Sequence, residues 1–445
     1  MRMPHGLDRR SLIKGAALSA ALLMPASAGA VQKQPAAQQG GSGKPGSNAM
    51  GNFSADRLDR MRKTMAGYVE RGVVPGLVWA VDRGGETHVE AVGSQAFDDP
   101  TPMRRDSIFR IASLTKPVTA AAAMILVEEG RLRLDDPVDQ WLPELAGRKV
   151  LKAVDGRLDD TVPASRPVTL RDLLTLRFGL GAIMVYPIRY PLQQAMQDAG
   201  VAPSADLFRG PPDEFMKRIG SLPLAHQPGE GWLYHTGMDV AGVLIARAAG
   251  QSLSAFMNER IFSPLGMKDT GFEVLAEKTD RLTTAYSRDF QTGKLGVYDQ
   301  AKGGRFASPA AFEAGGGGLV STADDYLAFQ KMMLGKGRLG DERILSRAAV
   351  ELMTTDQLTA EQRDSARTFF NGNSGWGLGM AVALKRDNLW MTPGRFGWDG
   401  GYGTSAYADP AEGLAGILLT QRLMESPEPP AYYVDFWNSA YQALA

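Results

Sequence analysis

The sequence predicts an α+β fold: an antiparallel sheet built from both chain ends and flanked by helices, with a mainly helical domain inserted between them. Three observations lead there. A helical pattern followed by a hairpin pattern opens the foldable part of the chain, and a hairpin pattern followed by a helical one closes it. Between them, residues 118–352 show helical periodicity and long loops with few strand signals. No internal repeat at a spacing of about 20–50 residues is visible, which argues against a solenoid or propeller.

Each element has a local cause. Ser54 stands where a helix N-cap belongs, and Leu58, Met61, Met65, Tyr68 and Val69 recur at helical spacing up to Gly72. Residues 77–81 and 87–92 read as two strands joined by a turn at Asp82-Arg83-Gly84-Gly85. His88 shares a face with Glu86 and Glu90, the pattern of a solvated strand face rather than of a metal ligand. Pro117 in a first turn and Gly130 after the run 118–129 mark a helix that begins near Ser113. Asp324-Asp325 after Ser321-Thr322 is helix-start chemistry. Residues 401–408 and 413–420 flank a turn at Asp409-Pro410-Ala411-Glu412, and a last helix from about Ala431 carries Val434, Trp437, Tyr441 and Leu444 as its apolar stripe.

Composition narrows the function. The 445 residues correspond to roughly three domain-equivalents, and 44% hydrophobic residues suffice for a large core. Lys+Arg and Asp+Glu are equal at 49 each, so the chain lacks the charge footprint of a nucleic-acid binder. Zero cysteines exclude disulfides, thiolate metal sites, iron–sulfur clusters and a thiol nucleophile, and four histidines leave little material for a metal centre. No cofactor is expected. The expected partner is a small molecule, with neither nucleic acid nor stable membrane insertion.

Arg9-Arg10, the apolar run 15–24 and Ala26-Ser27-Ala28 (or Ala28-Gly29-Ala30) make up a twin-arginine-type export signal over residues 1–28. The run is too short for a bilayer core of about 30 Å. Residues 29–52, rich in Gln, Gly, Ser and Pro, read as a disordered linker. Gly43-Lys44 there is no phosphate loop, because Pro45 stands where Ser or Thr is needed. Residues 53–445 are read as one domain, its sheet part about 53–112 and 370–445 and its helical part about 113–369. The expected location is periplasmic or secreted.

Ser113-Leu114-Thr115-Lys116 carries the chemistry. A serine and a lysine three apart at a helix start lie on one face, and the positive helix end disfavours a protonated amine, so Lys116 can activate the Ser113 hydroxyl. The spacing alone is weak, since Ser11-Leu12-Ile13-Lys14 in the export signal also has it. No Gly-x-Ser-x-Gly elbow competes, and His88, His226 and His235 lie in no recognisable triad setting.

In these residues the chain resembles the serine hydrolases related to class C β-lactamases, penicillin-binding DD-peptidases and β-lactamase-like esterases. The resemblance runs from about Leu58 to Gln421. It covers Phe109-Arg110-Ile111-Ala112-Ser113-Leu114-Thr115-Lys116, Val168-Thr169-Leu170-Arg171-Asp172-Leu173-Leu174-Thr175 and Gln227-Pro228-Gly229 leading to Tyr234-His235-Thr236. It continues through Pro264-Leu265-Gly266-Met267-Lys268-Asp269-Thr270, Gly316-Gly317-Gly318-Leu319-Val320-Ser321-Thr322 and Trp398-Asp399-Gly400, in the family's order. The resemblance implies a β-lactamase/transpeptidase-like fold with Ser113 as acylated nucleophile and Lys116 and Tyr234 as general bases. It also implies an oxyanion hole from the backbone N–H groups of Ser113 and Gly401, and substrate contacts from Thr236, Trp398 and Gly400. The phenol of Tyr234 would need the Lys116 ammonium beside it to reach the phenolate.

Three departures qualify this. Thr236 stands where the second motif usually ends in Asn. Leu176-Arg177-Phe178-Gly179 replaces a His-Thr-Ser-Gly stretch. Trp398 replaces the Lys or His suited to a substrate carboxylate, and an indole packs on apolar groups instead; Arg395 is the nearby cation that could substitute. The expected activity is therefore hydrolysis of carboxylic esters. The alternatives are a β-lactamase or D-amino-acid peptidase/amidase, and a catalytically idle protein that binds cell-wall fragments or β-lactams. His235 beside Tyr234 is expected to point away as a structural polar residue, and the Gly315–Gly318 run to serve as a tight packing turn.

Overall fold

The computed structural model describes residues 52–289 and 291–445. The export signal and all of the linker except Asn52 lie outside the described residues. The framework is set by helix α1 (Ala55–Glu70) and strands β1 (Gly76–Arg83) and β2 (Glu86–Gly93), followed by helices α2 (Thr115–Glu128), α3 (Leu170–Leu174), α4 (Thr236–Ala249) and α5 (Ala323–Leu334). Strands β3 (Ser374–Trp376), β4 (Ala381–Ala383), β5 (Phe396–Gly400), β6 (Thr404–Asp409) and β7 (Leu414–Leu419) and helix α6 (Ala431–Gln442) complete it. Among the described residues the strands form a seven-stranded antiparallel sheet, in the order β3-β4-β5-β6-β7-β1-β2. The α+β class and the sheet drawn from both chain ends match the expectation.

Strand β1 is buried from Gly76 to Asp82 because both of its faces are covered. Leu77, Trp79 and Val81 join the core under α1 and α6, while Val78 and Ala80 join the larger core shared with the inserted helices. A central strand between two layers therefore reads as a continuous apolar run rather than an alternating one. Its register is fixed on both sides, with Val78 opposite Leu419 of β7 and Ala91 of β2.

Three local expectations need correction. The first turn is only Gly84-Gly85, at φ 58° and 89°, a two-residue turn that glycine alone enters readily. Asp82 stays in the strand because its buried carboxylate is held by Thr87 and, at 2.7 Å, by Lys331 of α5. The last hairpin starts at Thr404 rather than 401, since residues 401–403 turn between β5 and β6. Helix α6 buries Tyr432, Tyr433, Phe436, Trp437 and Ala440, so only Trp437 of the expected stripe belongs to the buried face. The wide aromatic surfaces went to the core, and Tyr441 instead donates to Asp409 at 2.6 Å.

Helix α2 carries an alanine-rich stretch and is buried all round from Thr115 to Leu126, the pattern of a helix in the middle of a core. Small side chains let α4 pack beside it, and Gly242 of α4 meets Gly315 there. Helix α5 begins as expected: Thr322 accepts from the backbone N–H of Asp325. Among the described residues no single helix is long and apolar enough to cross a membrane.

Candidate active site

Ser113 sits in a short 3₁₀ turn (Ala112–Leu114) that runs directly into α2. The preceding Ala112 has φ 44°, a left-handed conformation costly for a residue with a Cβ. That turn is locked from outside: the Ile111 carbonyl accepts from Thr404 Oγ1 at 3.2 Å, and the Ile111 N–H donates to Leu319 O at 3.0 Å.

One helical turn on, Lys116 Nζ lies 2.9 Å from Ser113 Oγ. It also reaches Gly316 O at 2.6 Å and His235 Nδ1 at 3.1 Å. Burial pushes the amine down to about 7, while the nearby Asp239 charge opposes that fall. The direction is the one expected of a helix-start amine, and its main cause is the loss of solvent around a completely buried side chain.

Tyr234 arrives on the loop before α4. Its Oη accepts from Trp398 Nε1 at 2.7 Å, and its ring stacks with Trp232 and Phe369 at centroid separations of 5.8 and 4.9 Å. Burial holds the phenol well above its usual range, and hydrogen bonds with Ser113 and Trp398 recover only part of that rise. Lys116 Nζ lies over the ring face, 4.5 Å from its centroid. The phenol is therefore neutral at rest.

His235 does not point away. Its backbone is at φ 89° and ψ −61° rather than extended, which turns the imidazole inward between Lys116 and Asp239. His235 Nε2 is 2.9 Å from Asp239 Oδ2, and Asp239 Oδ1 accepts from Gly316 N–H at 2.7 Å. Burial alone would raise the Asp239 carboxyl, but His235, the Gly316 N–H and Lys116 together hold it below the usual range. The Gly315–Gly318 run packs tightly here: a Cβ at Gly316 would lie 2.8 Å from Asp239 Oδ1.

Ser113, Tyr234 and His235 open onto a cavity of about 860 Å³ whose other lining residues include Phe369, Trp398 and Gly401. Of the other expected site residues, Gly400 and Thr236 do not lie on its wall. Gly400 is pressed against Ile111 and Thr404, and Thr236 is buried as the first residue of α4. Arg395, the nearby cation expected to substitute, is among the residues lining the cavity, but it is buried and caged by Tyr407, Trp437 and Trp390, with the guanidinium carbon 3.7, 4.3 and 4.8 Å from their centroids. Sequence reasoning missed His235, Asp239 and Phe369. The four-residue spacing of His235 and Asp239 becomes a signal only once the start of α4 and the positive φ of His235 are known; for Phe369 there was none.

Comparison with known proteins gives the family and the fold. The Beta-lactamase family model matches residues 61–435. Protein Rv1367c of Mycobacterium tuberculosis is 38% identical over 375 residues, covering 82% of this chain and 90% of that one. Esterase EstB of Burkholderia gladioli is 34% identical over 382 residues, covering 81% and 89%. Among solved structures, EstCE1, described as a hydrolase with promiscuous acyltransferase activity, superposes with a TM-score of 0.72 at 24% identity, covering 86% of this chain and 98% of that one.

Proposed function

The chain belongs to the beta-lactamase family, and from that premise we propose that it is an exported serine hydrolase that cleaves carboxylic esters through a Ser113 acyl-enzyme. The observation that carries the reading is the buried Lys116 amine, 2.9 Å from Ser113 Oγ. An amine brought down to about 7 is partly free of its proton at neutral pH and able to take one from the hydroxyl.

In acylation, Ser113 Oγ attacks the ester carbonyl carbon as its proton passes to Lys116 Nζ. The N–H groups of Ser113 and Gly401 stabilise the oxyanion. As the bond to the alcohol oxygen breaks, Tyr234 protonates that oxygen, and the Lys116 ammonium returns a proton to the phenolate. Trp398 N–H steadies Tyr234 Oη while it carries the charge. In deacylation, water attacks the acyl carbon and its proton moves through Tyr234 to Lys116. The ammonium then protonates Ser113 Oγ as the acyl–oxygen bond breaks. The similarity to esterase EstB and the indole at Trp398 support a neutral ester over a substrate held by its carboxylate.

Labelling with a fluorophosphonate probe tests the nucleophile: the expected result is labelling abolished by Ser113→Ala. No labelling of the unmutated protein favours an idle binding protein instead. Steady-state assays of p-nitrophenyl esters, nitrocefin and a D-Ala-D-Ala peptide test the substrate class, and a higher kcat/KM on nitrocefin than on every ester overturns the ester reading. Export rests on Arg9-Arg10 and the apolar run after them; a tagged chain is expected in the periplasm, and Lys substitutions at Arg9 and Arg10 that leave its location unchanged would remove the twin-arginine route.

A further inference from the structure

We infer that His235, fixed by Asp239, is a positioning residue that aims the lone pair of Lys116 at the Ser113 hydroxyl. The inference rests on the ester-hydrolase reading and adds two residues to it.

The argument is a count of donors and acceptors. Asp239 Oδ2 lies 2.9 Å from His235 Nε2, and a carboxylate only accepts, so the hydrogen of the neutral imidazole is on Nε2. Nδ1 is then a bare acceptor, and it faces Lys116 Nζ at 3.1 Å. The second acceptor on the amine is Gly316 O, at 2.6 Å. A neutral amine has two hydrogens and one lone pair. With one hydrogen on the glycine carbonyl and one on the imidazole, the lone pair is left for Ser113 Oγ–H at 2.9 Å. Without the second acceptor the amine turns about its Cε–Nζ bond and the lone pair loses its direction.

The surrounding structure supports a built arrangement. Asp239 is itself held by Gly316 N–H at 2.7 Å, so the segment that offers one acceptor to Lys116 also anchors the group that fixes the other. A Cβ at Gly316 would sit 2.9 Å from His235 Cε1 as well as against Asp239, so the close approach needs glycine. His235 also keeps a backbone φ of 89° that a β-carbon disfavours. The titratable groups facing the imidazole are Lys116 from α2, Asp239 from α4 and the adjacent Tyr234, whose ring centroid is 5.9 Å away. Glycines 316 and 317 offer it only backbone.

The test measures p-nitrophenyl acetate hydrolysis by the full chain and three variants. His235→Ala is expected to lower kcat by about tenfold or more, with KM nearly unchanged. His235→Asn, whose amide oxygen can occupy the Nδ1 position, is expected to recover most of the activity. Asp239→Asn is expected to cost activity alone but little more on top of His235→Ala, because both act on one hydrogen bond. A folded His235→Ala with unchanged kcat overturns the inference, as does a His235→Asn no better than the alanine variant. Should the alanine variant fail to fold, the Asn and Asp239 variants decide. No turnover by the unmutated protein overturns the hydrolase reading, and this one with it.

Discussion

Trp398 donates its indole N–H to Tyr234 Oη at 2.7 Å, so the residue standing where related enzymes carry a cation is a hydrogen-bond partner of the phenol. Its ring is held edge-on by Trp376 at a centroid separation of 4.8 Å, which leaves the donor little freedom. Trp398→Phe keeps the aromatic wall and removes only this N–H. Since one hydrogen bond to a developing charge is worth on the order of 1.5 kcal/mol, kcat on an ester is expected to fall about tenfold with KM nearly constant. A kcat within about twofold of the unmutated value, measured in steady state, would leave Trp398 a packing residue.

The Lys116 amine predicts a pH dependence with a definite sign. Burial disfavours the ammonium and brings the group down to about 7. Only the free amine can accept the Ser113 proton, so the acylation rate rises with pH through about 7 and then levels off. Lys116→Ala is expected to cost about two orders of magnitude or more and to abolish that rise. Lys116→Arg should be as poor, because a guanidinium stays protonated. Burst kinetics with a p-nitrophenyl ester read the acylation step directly; a profile that falls with increasing pH through neutrality excludes the amine as the base.

Tyr234→Phe isolates the phenol oxygen. The ring contacts with Trp232 and Phe369 survive, so the protein should fold, while Trp398 N–H loses its acceptor. Ester turnover is expected to drop by about two orders of magnitude. The deficit should be smaller for esters with a better leaving alcohol, which needs less help from an acid. A uniform loss across leaving groups would assign Tyr234 to positioning alone.

What was legible in the sequence follows from the range of each signal. The hairpins and terminal helices are written in local periodicity and turn residues, so they could be read to within a few positions. Ser113 and Lys116 were legible as spacing on a helix start, and Tyr234 as part of a recognisable stretch. His235 was misread because its neighbours suggested an extended strand, whereas its positive φ reverses the side chain; no periodicity announces that. Asp239 was hidden for a related reason, since its meaning depends on where α4 begins. Phe369 and the caging of Arg395 depend on contacts between segments distant in sequence, which patterning does not encode. The stripe of α6 erred because periodicity gives a helical face but not which of two neighbouring faces a sheet will cover.

The adjacent glycines 400 and 401 give a final, contrasting prediction. A Cβ at Gly400 would lie 2.4 Å from Ile111 O and 2.1 Å from Thr404 Oγ1, so β5 is pressed against the turn that carries Ser113. Gly400→Ala must push that turn and the strand apart, and overpacking of this kind costs about 1–3 kcal/mol. The protein is expected to melt at lower temperature and to lose ester activity, because Ser113 moves relative to Gly401. At Gly401 a Cβ meets nothing within 4 Å, and the residue lies on the cavity wall. Gly401→Ala should therefore leave the melting temperature nearly unchanged while crowding the cavity beside Ser113, so that kcat/KM falls more for bulky acyl groups than for acetate. Equal thermal shifts in the two variants, read by calorimetry, would show that β5 does not set the position of the nucleophile.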